Sequence, residues 1–352
     1  MHRSRLLATG VLACAGAVAA AVPAGAATTP GCVVANNVVF VVDDSGSMFV
    51  TDPGDPTASP PTFPLRTQAI QLEVKRSSSD GKTFAAIEFG DTADVLFPPE
   101  LVKPNRNAML SSLTQINADN GSTDYNLAFD TANSTDPNAQ ARIFMTDGGH
   151  NAGDYNNTHL GGGKPKTYVI GFGDSAAAPE DAARLQQIAT DTGGQYFAQT
   201  SSAKLVSVMN SIDNLINCQS ATSTVTINDT FTKVNQAKTH QVTVPKGNKA
   251  EDLVTSFNQG ANFAISGIVE TLHGKVIAKS NLTVTAARAR KPKVKKLKVT
   301  KQTGGTFINL HISGLKPGGK LKFKLTAKQL ATSIDPNNPG GSVTTQLTPH
   351  TS

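Results

Sequence analysis

Between residues 37 and 216, short apolar runs alternate with stretches of helical spacing, and this alternation constrains the fold more than any other feature of the 352-residue chain. Asn37 to Val42 is a compact Val-rich run, as expected of a strand covered on both faces. Leu65 to Arg76 follows with helical spacing that lets Ala69, Ile70 and Val74 share a face. Further strands are expected at Thr83–Phe89, Asp94–Phe97, Arg142–Met145, Thr167–Ile170 and Gln195–Ala198. Helices are expected at Arg106–Ile116, Tyr125–Thr131, Pro179–Thr190 and Ala203–Ile216. Repeated strand–helix alternation predicts an α/β, doubly wound, mostly parallel sheet with helices on both faces.

Beyond residue 218 the pattern changes. Thr222–Asn228, His240–Pro245, Leu253–Phe257, Phe263–Leu272, Leu282–Ala287, Val294–Thr300, Phe307–Ile312 and Leu321–Thr326 are short, alternating, Val/Thr-rich runs separated by turn signals such as Lys316-Pro317-Gly318-Gly319. They predict a second, all-β antiparallel sandwich domain over residues 219–332. Residues 333–352, rich in Thr, Pro, Asn and Gly, read as a flexible tail. Charge divides at the same boundary. Residues 28–218 hold 11 Lys and Arg against 21 Asp and Glu, whereas residues 219–352 hold 19 against 5, so the overall +6 hides an acidic half and a basic half.

The N-terminus predicts export. Arg3 and Arg5 precede an apolar stretch from Leu6 to Val22, and Ala24-Gly25-Ala26 offers small residues for cleavage, the layout of a signal peptide over residues 1–27. The mature chain is then secreted or extracellular, in association with the cell envelope as a variant of that reading, and without a membrane span. Cys14 leaves with the signal, and the remaining pair, Cys32 and Cys218, reads as one disulfide in an oxidising compartment.

The chemistry sits at the end of the first strand, in Val41-Val42-Asp43-Asp44-Ser45-Gly46-Ser47-Met48. Asp43, Ser45 and Ser47 alternate on a turn that Gly46 permits, so one carboxylate and two hydroxyls point towards a common spot at the carboxyl end of the sheet, where ligands bind in doubly wound folds. These hard oxygen donors suit Mg²⁺ or Mn²⁺. The Asp-x-Ser-x-Ser turn after a Val-rich strand resembles the metal-ion-dependent adhesion site of von Willebrand factor type A domains. Gly121-Ser122-Thr123-Asp124 supplies Thr123 where that family places a Thr. Ile143-Phe144-Met145-Thr146-Asp147-Gly148 supplies Asp147 where it places an Asp. Val169-Ile170-Gly171-Phe172-Gly173 and Thr192-Gly193-Gly194-Gln195-Tyr196-Phe197 are similar to later family segments, so the resemblance spans about residues 36–217, within a domain over residues 28–218.

The resemblance implies a metal set of Asp43, Ser45, Ser47, Thr123 and Asp147. The hydroxyls would contact the ion directly and the two carboxylates would act largely through water. It also implies a non-enzymatic role in adhesion or protein interaction, with an acidic side chain of a protein partner, or another anionic ligand, completing the coordination. Asp44 stands where many family members are uncharged, and an acid there would tighten metal binding while repelling an anionic partner, or face water. Two loops, residues 51–64 with five prolines and residues 148–163 with six glycines, should form the rim of the site.

Catalytic signatures are few. Gly173-Asp174-Ser175 resembles the nucleophile block of GDS-type esterases, but the Asp147-Gly148-Gly149-His150 run that would serve it precedes it in the chain; a cap for the helix beginning near Pro179 accounts for Asp174 and Ser175. Arg288 to Lys301 carries eight basic residues in fourteen. It reads equally as a lysine-protected edge strand or as a means of retention on an anionic cell-envelope polymer, which would make the protein a structural envelope component. Nucleic acid is disfavoured, because the stretch lacks stacking aromatics.

Overall fold

The computed structural model describes residues 32–54, 63–116, 120–199, 204–219, 224–280, 294–331 and 341–350. The expected signal peptide, Leu282–Ala287, residues 55–62 of the proline-rich loop and most of the basic run before Val294 lie outside the described residues.

In chain order, the first half consists of β1 (Asn37–Asp43), α1 (Met48–Thr51), α2 (Leu65–Lys75), β2 (Thr83–Phe89), β3 (Ala93–Leu101), α3 (Val102–Ser112), α4 (Tyr125–Thr135), β4 (Ala141–Thr146), β5 (Lys166–Phe172), α5 (Gly173–Ala176), α6 (Pro179–Asp191), β6 (Gln195–Gln199) and α7 (Leu205–Ile216). The six strands form one sheet in the order β3-β2-β1-β4-β5-β6, parallel except for the hairpin partner β3. Strand order reverses between β1 and β4, so their carboxyl ends flank the crevice where a doubly wound sheet places its ligand. The Val run of β1 alternates between two buried layers. Val38, Phe40 and Val42 pack with α2 and α7 residues such as Ile70 and Ile212. Val39 and Val41 pack with Phe129 of α4 and Ile188 of α6.

The second half contains β7 (Val225–Thr230), β8 (Ala237–Thr243), β9 (Ala250–Phe257), β10 (Asn262–Leu272), β11 (Lys275–Lys279), β12 (Lys295–Lys296), β13 (Lys298–Thr303), β14 (Phe307–Ser313), β15 (Lys320–Gln329) and β16 (Ser342–His350). They build two five-stranded sheets, β12-β11-β10-β15-β8 and β13-β14-β9-β16-β7, packed over a core of residues such as Leu253, Leu310, Leu321 and Phe323. Two of these strands depart from the sequence expectation. Residues 342–350, read as part of a flexible tail, form the strand between β9 and β7. Among the described residues its Pro349 lies past the stretch paired with β7, which ends at Leu347, and so near the strand end where a missing N–H is tolerated. The short β11 exists because His273 and Gly274, both at positive φ (48° and 76°), make the two-residue turn that closes a hairpin on β10. The basic run crosses between the sheets at buried Leu297, with β12 and β13 each at a sheet edge, where lysines discourage further strand addition.

The two halves are fastened together through α2 and α7. Leu72, Val206, Val254 and Phe307 make a small apolar core between them. Around it, Thr306 donates to Gln68 at 2.9 Å, Lys75 to the Thr303 carbonyl at 3.0 Å and Asn210 to Gln346 at 3.0 Å. Arg76 is buried there and its guanidinium holds Glu73 (3.0 Å), Asp213 (3.3 Å) and the side-chain Oδ1 of Asn210 (2.6 Å). The disulfide Cys32–Cys218 closes the first half just beyond α7, where the Ala35 amide also donates to the Ile216 carbonyl at 3.0 Å.

At this junction Asp252 of β9 receives His311 Nδ1 at 2.6 Å and lies 2.9 Å from His350 Nε2. Desolvation opposes ionisation of Asp252, but the two imidazoles and Arg76 outweigh it and hold the carboxyl below its usual range. His350 is raised, because the hydrogen bond and charge of Asp252 and the charge of Asp213 outweigh burial. Neighbouring Glu251 is pushed up to about 8 by burial, so the fold keeps a proton there that the unfolded chain releases from about 4.5 upward. Its contribution is therefore fully present below about pH 4.5 and lost as pH rises to about 8; His350 acts in the same direction above its ordinary value, while Asp252 contributes above its unfolded value and loses that as pH falls. Urea midpoints should drop between pH 5 and pH 8 by the equivalent of a few kcal/mol, on the order expected for one buried carboxyl. Glu251→Gln should flatten that part of the profile; an unchanged slope in the variant would refute the assignment.

Candidate metal site

β1 ends at Asp43 with its carboxylate buried. Oδ1 accepts the Ser45 amide at 2.8 Å and Oδ2 accepts the Thr146 hydroxyl at 2.6 Å. Asp43 is thus the post around which the Ser45-Gly46-Ser47 turn is wound, and Thr146, at the end of β4, fixes its second oxygen. Burial pushes the Asp43 carboxyl up to about 6 against the pull of those hydrogen bonds, and the charge of Asp147 adds to the rise. Buried Met48 pins the far side of the turn in the core.

From there a chain of side chains crosses to the next strand. The Ser45 and Ser47 hydroxyls are 3.1 Å apart, and Ser47 donates to Asp147 Oδ1 at 2.7 Å. The other Asp147 oxygen, Oδ2, is buried without a hydrogen-bond partner. Ser45 and Asp147 are buried while Ser47 is exposed, so the group opens to solvent at Ser47.

Thr123 stands on a loop that is held against the same turn. Its loop is stitched to the first turn by the Gly46 amide, which donates to the Gly121 carbonyl at 2.8 Å. It is stitched to the loop after β4 by Asn151, whose side chain accepts the Thr123 amide at 2.7 Å. Gly121 is required here, since it sits at φ 57° and a Cβ would fall 1.9 Å from the Asp91 carboxylate. That carboxylate accepts the Ser122 amide at 2.9 Å and the Ser122 hydroxyl. The Thr123 side chain is buried, and among the described residues its hydroxyl is hydrogen-bonded to none of the other four. Asp124, next in sequence, caps α4 by accepting the Leu127 amide at 3.1 Å.

Asp44 neither faces water nor stands free beside the site. It is buried and paired at 2.8 Å with fully buried Arg66 of α2, which also holds Asp52 at 3.3 Å. Asp52 in turn accepts the amides of Leu65 and Arg66 at 2.8 and 2.9 Å, capping α2 from the loop that follows α1. The extra acid of the turn is therefore neutralised from below, and no local signal marks this pairing, because Arg66 lies 22 residues away. The Gly-rich loop after β4 supports the site from the side. The Tyr125 hydroxyl donates to the Gly148 carbonyl and lies 3.3 Å from the Thr146 hydroxyl, while His150 Nδ1 accepts the Tyr125 amide at 3.0 Å.

The donor set fits a hard divalent cation. Hydrogen bonds string the Ser45 and Ser47 hydroxyls to the Asp147 carboxylate beside Asp43, Thr123 stands on a loop bonded to the same turn, one Asp147 oxygen lacks a partner, and burial raises the Asp43 carboxyl. Among the described residues no group of three or more His, Cys, Asp or Glu is placed to hold a metal ion. The expected cap by Asp174 and Ser175 is replaced by a different arrangement. Both residues lie inside α5, α6 starts on Pro179 after Ala178, and no imidazole is hydrogen-bonded to Ser175 among the described residues. No helix among the described residues is long and apolar enough to cross a membrane.

Comparison with known proteins agrees on the first half. Residues 38–150 match the von Willebrand factor type A domain family. No curated protein matches the chain significantly. Among solved structures, the chain is similar to proximal thread matrix protein 1 of the mussel byssus, at 19% identity and a TM-score of 0.40 over 56% of this chain and 50% of that one. It is also similar to a von Willebrand factor type A protein from Catenulispora acidiphila, at 15% identity and a TM-score of 0.40 over 86% and 59%. A third is the PilB minor pilin of Streptococcus sanguinis, at 15% identity and a TM-score of 0.39 over 54% and 63%. The chain thus spans between half and two thirds of the length of these structures. One structure of the mussel protein is described as having a zinc-occupied MIDAS motif. The chain thus contains, in its first half, a region over residues 38–150 that matches the von Willebrand factor type A domain family, and a β-rich region of two five-stranded sheets, antiparallel except for the β11–β12 pair, follows it.

Proposed function

We propose that this protein is a metal-dependent interaction module, acting outside the cell, that binds an acidic partner through Mg²⁺ or Mn²⁺ held by Asp43, Ser45, Ser47, Thr123 and Asp147. The observation that carries this reading is the buried, unpartnered Asp147 Oδ2 at the end of the Ser45–Ser47–Asp147 chain. When bound, the cation supplies a point charge to which a carboxylate from another molecule can add with a short, charge-assisted bond. The chain's own residues do the rest. Asp43 and Thr146 hold the turn, the hydroxyls of Ser45, Ser47 and Thr123 offer neutral donors that leave the ion's charge incompletely cancelled, and Arg66 removes the charge of Asp44 from the balance. The exposed side at Ser47 is where the partner would approach.

Selection of displayed peptides on the full chain in Mg²⁺ should enrich sequences containing Asp or Glu, and chelator should release them. Ser47→Ala should weaken the selected peptides by at least about tenfold, the order of loss that follows disturbance of a metal's surroundings. Enrichment of peptides without acids, or retention in chelator, contradicts the reading.

A further inference from the structure

The sheet β13-β14-β9-β16-β7 has one side against α2 and α7 and the other on the sandwich core, so the outward face of β12-β11-β10-β15-β8 looks away from the metal-binding half. On β15 the alternation is strict over residues 320–325. Leu321, Phe323 and Leu325 are buried inward, and Lys320, Lys322 and Lys324 are exposed outward. Strand register extends this row sideways. Lys322 lies beside Val269 of β10, Val269 beside Lys279 of β11, and Lys279 beside Lys296 of β12.

Five lysines therefore share one face, spaced about 7 Å along β15 and about 5 Å between neighbouring strands. The outward neighbours of the β15 lysines are Thr239, Gln241 and Thr243 on β8 and Ser266, Val269 and Thr271 on β10. The acid on these strands, Glu270, lies beside Leu321 and is buried on the inward side.

Edge protection accounts for the lysines of β12 and β13, but β15 is an interior strand, paired with β10 on one side and β8 on the other. Its row of like charges repels itself and needs another source of compensation. Apart from Val269, the outward neighbours are hydroxyls and an amide suited to sugar hydroxyls, and no aromatic side chain stands outward among them to stack a base or enter a bilayer.

We propose that this face binds an extended anionic polysaccharide, with Lys279, Lys296, Lys320, Lys322 and Lys324 meeting its carboxylates. The site is independent of the metal-binding half and faces away from it, so the chain would hold a polymer at one end and a protein partner at the other.

The test uses the full mature chain in chelator, so that it does not depend on the metal site, with polygalacturonate as probe at low ionic strength. Binding should be detected and should weaken steeply with added salt. Lys320→Gln/Lys322→Gln/Lys324→Gln should weaken it by on the order of tenfold to a hundredfold, as for three surface cations facing a polyanion. A control with the same charge change on the other half, Lys164→Gln/Lys166→Gln/Lys204→Gln, should leave it within about twofold of wild type. All six positions are exposed, and thermal unfolding of both triple variants should match wild type. Absence of binding, equal losses in the two triple variants, or tighter binding of single-stranded DNA or phosphatidylglycerol vesicles would overturn the proposal.

Discussion

Arg66→Met is expected to destabilise the fold by about 3–5 kcal/mol, the cost of stripping the cation from a buried ionic group. The Arg66 guanidinium is fully buried between Asp44 and Asp52, and it also donates to the Asp52 carbonyl at 2.9 Å. Methionine fills most of the volume but leaves two carboxylates without their counter-ion in a low-dielectric setting. Arg66→Lys should fall between the two, since an ammonium restores charge without the planar fork that spans both acids. Adding Asp44→Asn to Arg66→Met should recover part of the loss. Urea unfolding of the four proteins checks this, and a loss below about 1 kcal/mol in Arg66→Met would show that the pair is not the anchor of the turn from Asp43 to Ser47.

Removing the disulfide with Cys32→Ser/Cys218→Ser should cost about 2–5 kcal/mol. The bridge joins residues 186 apart, so by loop-closure entropy it restrains the unfolded chain by up to about 5 kcal/mol. A local effect opposes part of this. Cys218 sits at φ 56°, where the Gln219 amide reaches back to the Asn214 carbonyl at 2.7 Å to end α7. That left-handed position favours glycine by about 1–2 kcal/mol, and the fold accepts a non-glycine residue there. Cys32→Ser/Cys218→Gly should therefore be more stable than the double serine variant. Equal melting temperatures for the two would remove the backbone argument, and a double serine variant as stable as wild type would remove the entropic one.

How far the fold could be read from the chain depended on what covers each element. β1, β4 and β5 are buried on both faces within their own domain, and their Val- and Ile-rich runs say so directly. The positions of the turn around Asp43 and of the loop carrying Asp147 were legible for a related reason, because a doubly wound sheet brings the carboxyl ends of adjacent strands together whatever the side chains, whereas Thr123 lies on the loop between α3 and α4 and was marked only by the family resemblance. α2 was legible as a helix but not in its burial. Every residue from Leu65 to Val74 is buried, including Arg66, Gln68 and Glu73, because the second domain lies over the side that would otherwise meet water. β16 was missed because Ser342-Val343-Thr344-Thr345-Gln346-Leu347 has the composition of a loop. It is a strand because β9 and β7 flank it and α7 covers it, and such tertiary context overrides weak strand propensity. Thr146 and Arg66, which position the turn from Asp43 to Ser47, carry no motif. Each is recognisable only once β4 and α2 are placed against β1.

If Asp43, Ser45, Ser47, Thr123 and Asp147 hold one divalent cation, as proposed, calorimetric titration of Mg²⁺ into the full chain should show one ion bound per chain. Asp43→Ala and Asp147→Ala should bind none, with all three proteins folded by circular dichroism. Equal heats in the three proteins, or no heat in the wild type with either Mg²⁺ or Mn²⁺, would contradict the proposal.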